Sequence, residues 1–409
     1  MLKDKAMNLV SFEALREMKP YRQMEAAELM ISAGNYTSSY AKALLAGTKQ
    51  SDLARPERPK KVGGMTPEQM DRMEREMETL TQDFKSVETS YGDDVLHLVI
   101  ASGYLNRLIG NTAIGWGDVD DAVSEAAIEA AMDAGINFFD TADIYGLGHS
   151  EFLLGKTIGH RKDMIIATKV GNVSRDEQFT VDYSSQHILQ ACEQSLKRLK
   201  RDTIDFYQLH TARLTHLQQG DCIAAMQQLQ AAGKIRYWGL SLNTFAPFPE
   251  ADYLLEHELG NGFQLVLNLI NQRSLPLLKK SAEKGFGIIA RMPLQFGLLT
   301  GKFDKQASFA ANDHRKNRLV PAIVEATATA LEPVWALCEK YQCSKTQLAL
   351  SYLLSYPEVS VIIPGIRTPE QVAGNTTGLF RLEEEDMRMI ETLGHTVFVP
   401  LMEQIQQQG

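Results

Sequence analysis

The sequence predicts an α/β protein, a (β/α)8 TIM barrel carrying an N-terminal helical extension. Three observations lead there. From about Leu108 onward, short apolar segments alternate with amphipathic ones, which calls for parallel strands joined by crossover helices. Eight such units within about 300 residues favour a closed barrel over an open doubly wound sheet. The residues before them follow a different pattern, so 1–107 read as the extension and 108–409 as the barrel.

Taken in order, Tyr21 to Leu45 carries a helical pattern interrupted near Gly34-Asn35. The stretch SDLARPERPKKVGG (51–64) reads as a linker, because its prolines and charges disfavour a packed element. Thr66 and Pro67 then open a helix at its N-cap and N1 positions. Its apolar residues Met70, Met73, Met77, Leu80, Phe84, Val87 and Tyr91 recur three and four apart, an a/d seam that either self-associates or packs on its own chain. The barrel strands are expected in RLIGNTAIG, INFFD, MIIATKV, IDFYQLH, RYWGLSL, FQLVLNL, FGIIARMPL and VSVIIPG. Helices are expected in DDAVSEAAIEAAMDAG, SSQHILQACEQSLKRLK and DCIAAMQQLQAAGK.

Composition narrows the function. A net charge of -9 argues against chain-wide binding of nucleic acid or anionic membrane. The four cysteines Cys192, Cys222, Cys338 and Cys343 lack CxxC spacing and read as reduced thiols rather than metal ligands. No apolar stretch reaches the roughly 18 residues of a membrane span, and MLKDKAMNLV lacks the apolar run of a signal peptide. The expectation is a soluble cytoplasmic protein. GNTAIGWG does not supply a dinucleotide-binding GxGxxG, and GLLTGKF departs from a P-loop at Phe303.

In a parallel barrel the carboxyl ends of the strands converge on one mouth. The residues there are Asp140, Lys169, His210, Ser241, Asn268 and Arg291, with Tyr145 in a loop just beyond. A tyrosine titrates too high to exchange protons freely at neutral pH. An adjacent ammonium stabilises its phenolate, a carboxylate holds that ammonium, and an imidazole orients a substrate oxygen. Asp140, Lys169, Tyr145 and His210 supply those groups. Singly each has a plain reading: a turn residue, a solvated charge, a rim aromatic, a satisfied polar side chain. Their recurrence at successive strand ends favours the functional one. Asp143 reads as structural, capping its own loop, and Ser150 as the N-cap of the next helix.

Six motifs in order carry a family resemblance: DTADIYGLGHSEFLLG, ATKVG, DFYQLH, GKIRYWGLS, GLLTGK and VIIPGIRTPEQVAGN. From about Leu108 to Leu393 the chain resembles the aldo-keto reductases. The resemblance implies NADPH-dependent reduction of a small carbonyl substrate without metal. It makes Tyr145 the general acid, Lys169 and Asp140 its tuning pair, and His210 the residue that orients the carbonyl. For the NADP cofactor it implies Thr112 in the first strand, and Ser241 and Gln264 at the nicotinamide carboxamide. Arg291 would stack on the ring, and Pro293, Leu294, Gly297 and Lys302 would line the pyrophosphate. Gly365 would bind the cofactor, Arg367 would hold the 2′-phosphate, Gln371 and Asn375 the adenine, and Trp116 would wall the substrate pocket. Two positions depart from the family pattern: Leu242 separates Ser241 from Asn243, and Met292 replaces a small hydroxyl residue.

Residues 20–111 resemble the C-terminal part of ParB/RepB-type plasmid partition proteins. This implies helical self-association, through 66–91, rather than direct nucleic-acid binding. The two resemblances meet near Gly110-Asn111-Thr112, as in a fusion protein. The competing functions are a non-catalytic NADP-binding or oligomerising module and a plasmid-partition accessory protein.

Overall fold

The computed structural model describes residues 9–32, 36–57, 120–175, 178–303, 309 and 315–408. The chain divides into two compact units, Met1–Asp94 and Val95–Gly409.

The first unit is helical. Helices Leu9–Arg16, Pro20–Ser32 and Ser38–Ala46 are followed by one 3-10 turn, Gln50–Asp52. Their apolar sides bury Ala14, Leu15, Met18, Met30, Leu44 and Leu45 in a small core. Leu53 joins that core and forms an isolated antiparallel bridge with Met18, although it lies in the stretch that reads as a linker. The Ala54 N–H donates to Glu17 O and the Lys19 N–H to Asp52 O, both at 2.8 Å, which fixes the bridge. The helix expected over 66–91 lies outside the described residues.

The second unit is built on seven parallel strands: β1 (Phe138–Asp140), β2 (Ile165–Val170), β5 (Ile204–His210), β6 (Ile235–Ser241), β7 (Gly262–Val266), β8 (Gly287–Arg291) and β9 (Val361–Ile363). They are hydrogen-bonded in that order and curl into a nearly closed barrel. Phe138 of β1 and Ile363 of β9, from the two ends of the sheet, share one interior cluster with Ala167 and Ile289. The opposite strand faces pack on helices, so β7 is buried along its whole length, as a two-sided parallel strand requires. Seven expected strands are present; the eighth, over 107–115, lies outside the described residues. A short antiparallel hairpin, β3 (Asn172–Arg175) with β4 (Gln178–Val181), was not expected and leaves the barrel just after β2.

Crossover helices follow the expected pattern. Asp120 caps Asp121–Asp133 by accepting the Ala122 N–H, and Ser184 caps Ser185–Leu199 by accepting from His187. Asp221–Ala231 completes the three. The helix after β1, His149–Thr157, differs: its N-cap is Gly148 at φ +92°, not Ser150. Ser150 instead turns inward and shares a 2.7 Å hydrogen bond with the Thr141 hydroxyl.

Candidate active site

Asp140, the last residue of β1, is the centre of a buried polar cluster inside the barrel mouth. Its Oδ2 accepts from Lys169 Nζ at 2.5 Å, and both side chains are fully buried. Lys169 Nζ also donates to the Thr141 carbonyl at 2.8 Å. Two amides reach the other oxygen: Gln264 Nε2 at 2.7 Å and Gln208 Nε2 at 3.1 Å. A buried carboxylate survives only when paired and hydrogen-bonded, and Asp140 has both.

Tyr145 lies over this pair. Lys169 Nζ is 5.2 Å from the centroid of its ring, and the His210 ring meets it edge-on at 5.6 Å. The loop that presents it contains left-handed backbone at Gly146, Leu147 and Gly148. A Cβ on Gly148 would approach the Arg198 side chain to 2.7 Å, so only glycine lets the loop settle there. Arg198 is in turn held by Glu151, fully buried, whose Oε2 accepts from Arg198 Nε at 2.7 Å while Oε1 accepts from Thr168 at 2.6 Å. Beside them, burial first and Glu151 second push the Asp143 carboxyl well above the usual carboxylate range. Its own-loop contact is with the Ile144 backbone, while Oδ1 lacks a hydrogen-bond partner among the described residues.

His210 ends β5. Tyr183 donates its hydroxyl to the His210 carbonyl at 2.6 Å, and Gly171, at φ +118°, leaves the space that the Tyr183 ring fills. Strained backbone collects at this end of the barrel. Among non-glycine residues with positive φ, Leu147, Thr211, Met292, Gln295 and Phe296 all follow strand ends. Such conformations persist where the surroundings impose them, and they cluster at functional sites.

The loops after β8 and β9 enclose a cleft of about 530 Å³. Pro293, Leu294, Gly297, Lys302, Gly365, Arg367, Gln371 and Asn375, the residues expected along the cofactor beyond β8, all line it. Arg315, Ser344 and Thr346 line it as well. Lysine, arginine, hydroxyl groups and left-handed backbone suit the phosphates of a dinucleotide. The carboxylate of Glu370 shares the cleft and is held below its usual range by the Thr368 hydroxyl.

The family model of the aldo/keto reductases matches residues 108–395. The chain belongs to the aldo/keto reductase family. An uncharacterized oxidoreductase, YqkF of Bacillus subtilis strain 168, is 32% identical over 273 residues, covering 65% of this chain and 85% of its own. L-galactose dehydrogenase of Arabidopsis thaliana is 31% identical over 308 residues, covering 69% and 90%. The solved glycerol dehydrogenase AKR11B4 from Gluconobacter oxydans superposes with a TM-score of 0.62 at 27% identity, over 73% of this chain and 91% of its own. A second family model, the RepB plasmid partitioning protein, matches residues 1–116, so the chain joins a partition-type segment to a reductase. Membership makes it an oxidoreductase of carbonyl compounds that works with a nicotinamide cofactor. Among the described residues no helix is long and apolar enough to cross a membrane.

In this reductase the four residues expected for proton transfer come together, and several other expected residues hydrogen-bond within the chain. Gln264, expected at a nicotinamide carboxamide, donates to Asp140, and its Oε1 lies 3.4 Å from Ser241 Oγ. Arg291 donates to the Leu242 carbonyl at 3.0 Å and to Thr244 at 3.2 Å, which anchors it to the loop after β6. Gln371 accepts the Arg367 N–H at 2.6 Å, and Asn375 donates to the Gly365 carbonyl at 3.4 Å. Asn268 is structural, donating to Met292 O and Gln295 while accepting from the Ile270 and Asn271 backbone. Asn243 accepts from Phe245 and Ala246 and shapes a turn. Thr112 and Trp116 lie outside the described residues. Sequence reasoning missed Gln208, Glu151, Arg198 and Tyr183. Gln208 carried one signal: it shares a strand face with His210, so it points the same way one layer deeper.

Proposed function

We propose that this reductase converts a small aldehyde or ketone to the alcohol with NADPH, and that Tyr145 is the general acid. The observation that carries the proposal is the buried Asp140–Lys169 pair beneath the Tyr145 ring, with His210 at the ring's edge. NADPH supplies the hydride when bound. Tyr145 gives its hydroxyl proton to the carbonyl oxygen as that oxygen gains charge. The Lys169 ammonium stabilises the phenolate left behind, and Asp140 keeps the ammonium charged and in place. His210 orients the carbonyl oxygen toward Tyr145. In the reverse direction the phenolate takes the alcohol proton. For the cofactor, Lys302 and the 293–297 backbone would hold the diphosphate, and Arg367 the 2′-phosphate.

Fluorescence titration with NADPH, followed by turnover of simple aldehydes, tests this reading. Tyr145→Phe should bind NADPH as before and lose about 10²–10⁴-fold in turnover. Full turnover by that variant would remove the mechanism. Cofactor binding without turnover in the unsubstituted protein would favour a non-catalytic module instead. The RepB match supports a second property, self-association through the N-terminal segment. Sedimentation should then show lost assembly when residues 1–95 are deleted.

A further inference from the structure

Asp140 receives more hydrogen bonds than a lysine partner alone would require. Lys169 takes Oδ2, while Gln208 and Gln264 both donate to Oδ1. An ionised carboxylate only accepts, which sets the orientation of both amides, their NH2 groups toward Asp140. In a dry interior, a lysine and an aspartate can exist as an ion pair or, after one proton moves, as a neutral amine and acid. Donors to Oδ1 stabilise the ionised carboxylate above all, so each amide biases the pair toward the charged form.

The two glutamines differ in what else they do. Gln264 also contacts Ser241, on the side expected for the nicotinamide. Gln208 is fully buried on β5, in register with Lys169 of β2 and Gly239 of β6. Its Oε1 is buried without a hydrogen-bond partner among the described residues. A buried amide oxygen left unpaired is costly, so an apolar side chain of similar size would serve the barrel core better. A residue that weakens its own packing while bonding the central carboxylate is placed for function rather than for stability.

We propose that Gln208 is a positioning residue for the proton donor, holding the Asp140–Lys169 pair ionised and aligned beneath Tyr145. The inference rests on the reading of Tyr145 as general acid. The titratable and charged groups around this point are Asp140 from β1, Asp143 from the following loop, Lys169 from β2 and His210 from β5. With Gln208 in place, the Lys169 ammonium favours the Tyr145 phenolate. Without it, the pair drifts toward neutrality and the phenolate loses its counter-charge.

The test is a spectrophotometric titration of Tyr145, taken as the tyrosinate absorbance difference between each protein and the same protein carrying Tyr145→Phe. Gln208→Leu and Gln208→Met, which keep bulk but remove the donor, should raise the Tyr145 midpoint by about one pH unit. The turnover rate of NADP-dependent alcohol oxidation at pH 7 should fall roughly tenfold, with the alcohol KM unchanged. A fall in melting temperature with an unmoved midpoint would overturn the proposal, and so would failure of both variants to fold. The titration needs no turnover, so an inactive unsubstituted protein would count against the reductase reading, while an unmoved midpoint counts against Gln208.

Discussion

Replacing Lys169 by methionine separates what the buried pair does for the fold from what it does for catalysis. Lys169 Nζ bonds Asp140 Oδ2 at 2.5 Å and the Thr141 carbonyl at 2.8 Å, with no exposed side-chain surface. Lys169→Met leaves Oδ2 without its donor in a site that water cannot repair. Removing one partner of a buried ion pair costs about 3–5 kcal/mol. Gln208 and Gln264 still serve Oδ1, which places the cost near the lower end, about 3 kcal/mol. At roughly 2–4 °C per kcal/mol for a unit of this size, the melting temperature should fall by about 6–12 °C. The double variant Lys169→Met/Asp140→Asn keeps an acceptor for both glutamines but carries no buried charge. It should recover most of that stability and none of the activity. The assay is thermal unfolding in parallel with aldehyde turnover. The reasoning fails if Lys169→Met is as stable as the unsubstituted protein, or if the double variant is no more stable than the single one.

Two further outcomes follow from the same neighbourhood and from the cleft. Burial holds the Asp143 carboxyl well above its ordinary value of 3.8, so the folded protein binds that proton more tightly than the unfolded chain. Its contribution to stability is therefore complete below about pH 4 and is lost as pH rises toward the folded value. Asp143→Asn should gain stability over the unsubstituted protein progressively above that pH, and parallel melting curves from acid to neutral would check it. Glu370, kept ionised by the Thr368 hydroxyl, faces the same cleft as Arg367 and opposes a bound phosphate. Glu370→Gln should tighten NADPH about two- to fivefold and NADH less, by fluorescence titration. Equal tightening of both would show that Glu370 does not act on the 2′-phosphate.

Asp140, Lys169 and His210 were legible because each is a polar residue terminating an apolar run, and strand ends are where a parallel barrel exposes chemistry. Their partners were not. Gln208 sits within a strand, where one polar residue reads as an ordinary interruption of the pattern, and Gln264 reads as a nicotinamide contact rather than as a donor to Asp140. Arg198 looks like a solvated charge in the last turn of a helix, yet it pairs with the fully buried Glu151, an interaction spanning 47 positions that no local pattern reports. Ser150 was misread because serine is a strong N-cap former. The left-handed Gly148 took the cap and freed the hydroxyl for Thr141. The β3–β4 hairpin escaped because its four-residue strands are too short and too polar to show alternation.

The site has two halves, and the strand order separates them as far as a sheet can. Tyr145 follows β1 and Arg367 follows β9, which are the two ends of the hydrogen-bonded sheet. The proposed proton donor and the cleft proposed for the cofactor therefore meet only if the barrel closes. Among the described residues the closure rests on two features. Inside, Phe138 and Ile363 share one apolar cluster. Outside, the helix Asp121–Asp133 packs directly on the helix Pro369–Thr376, which carries Gln371 and Asn375. The two family matches overlap at residues 108–116, just before that first helix. The hydrogen bonds to the Asp140 carboxylate, by contrast, come from β2, β5 and β7, away from the closure. Substitutions that loosen the packing of Asp121–Asp133 on Pro369–Thr376 should then act on how the two halves meet, and so on cofactor affinity, before they act on the internal geometry of the proton donor.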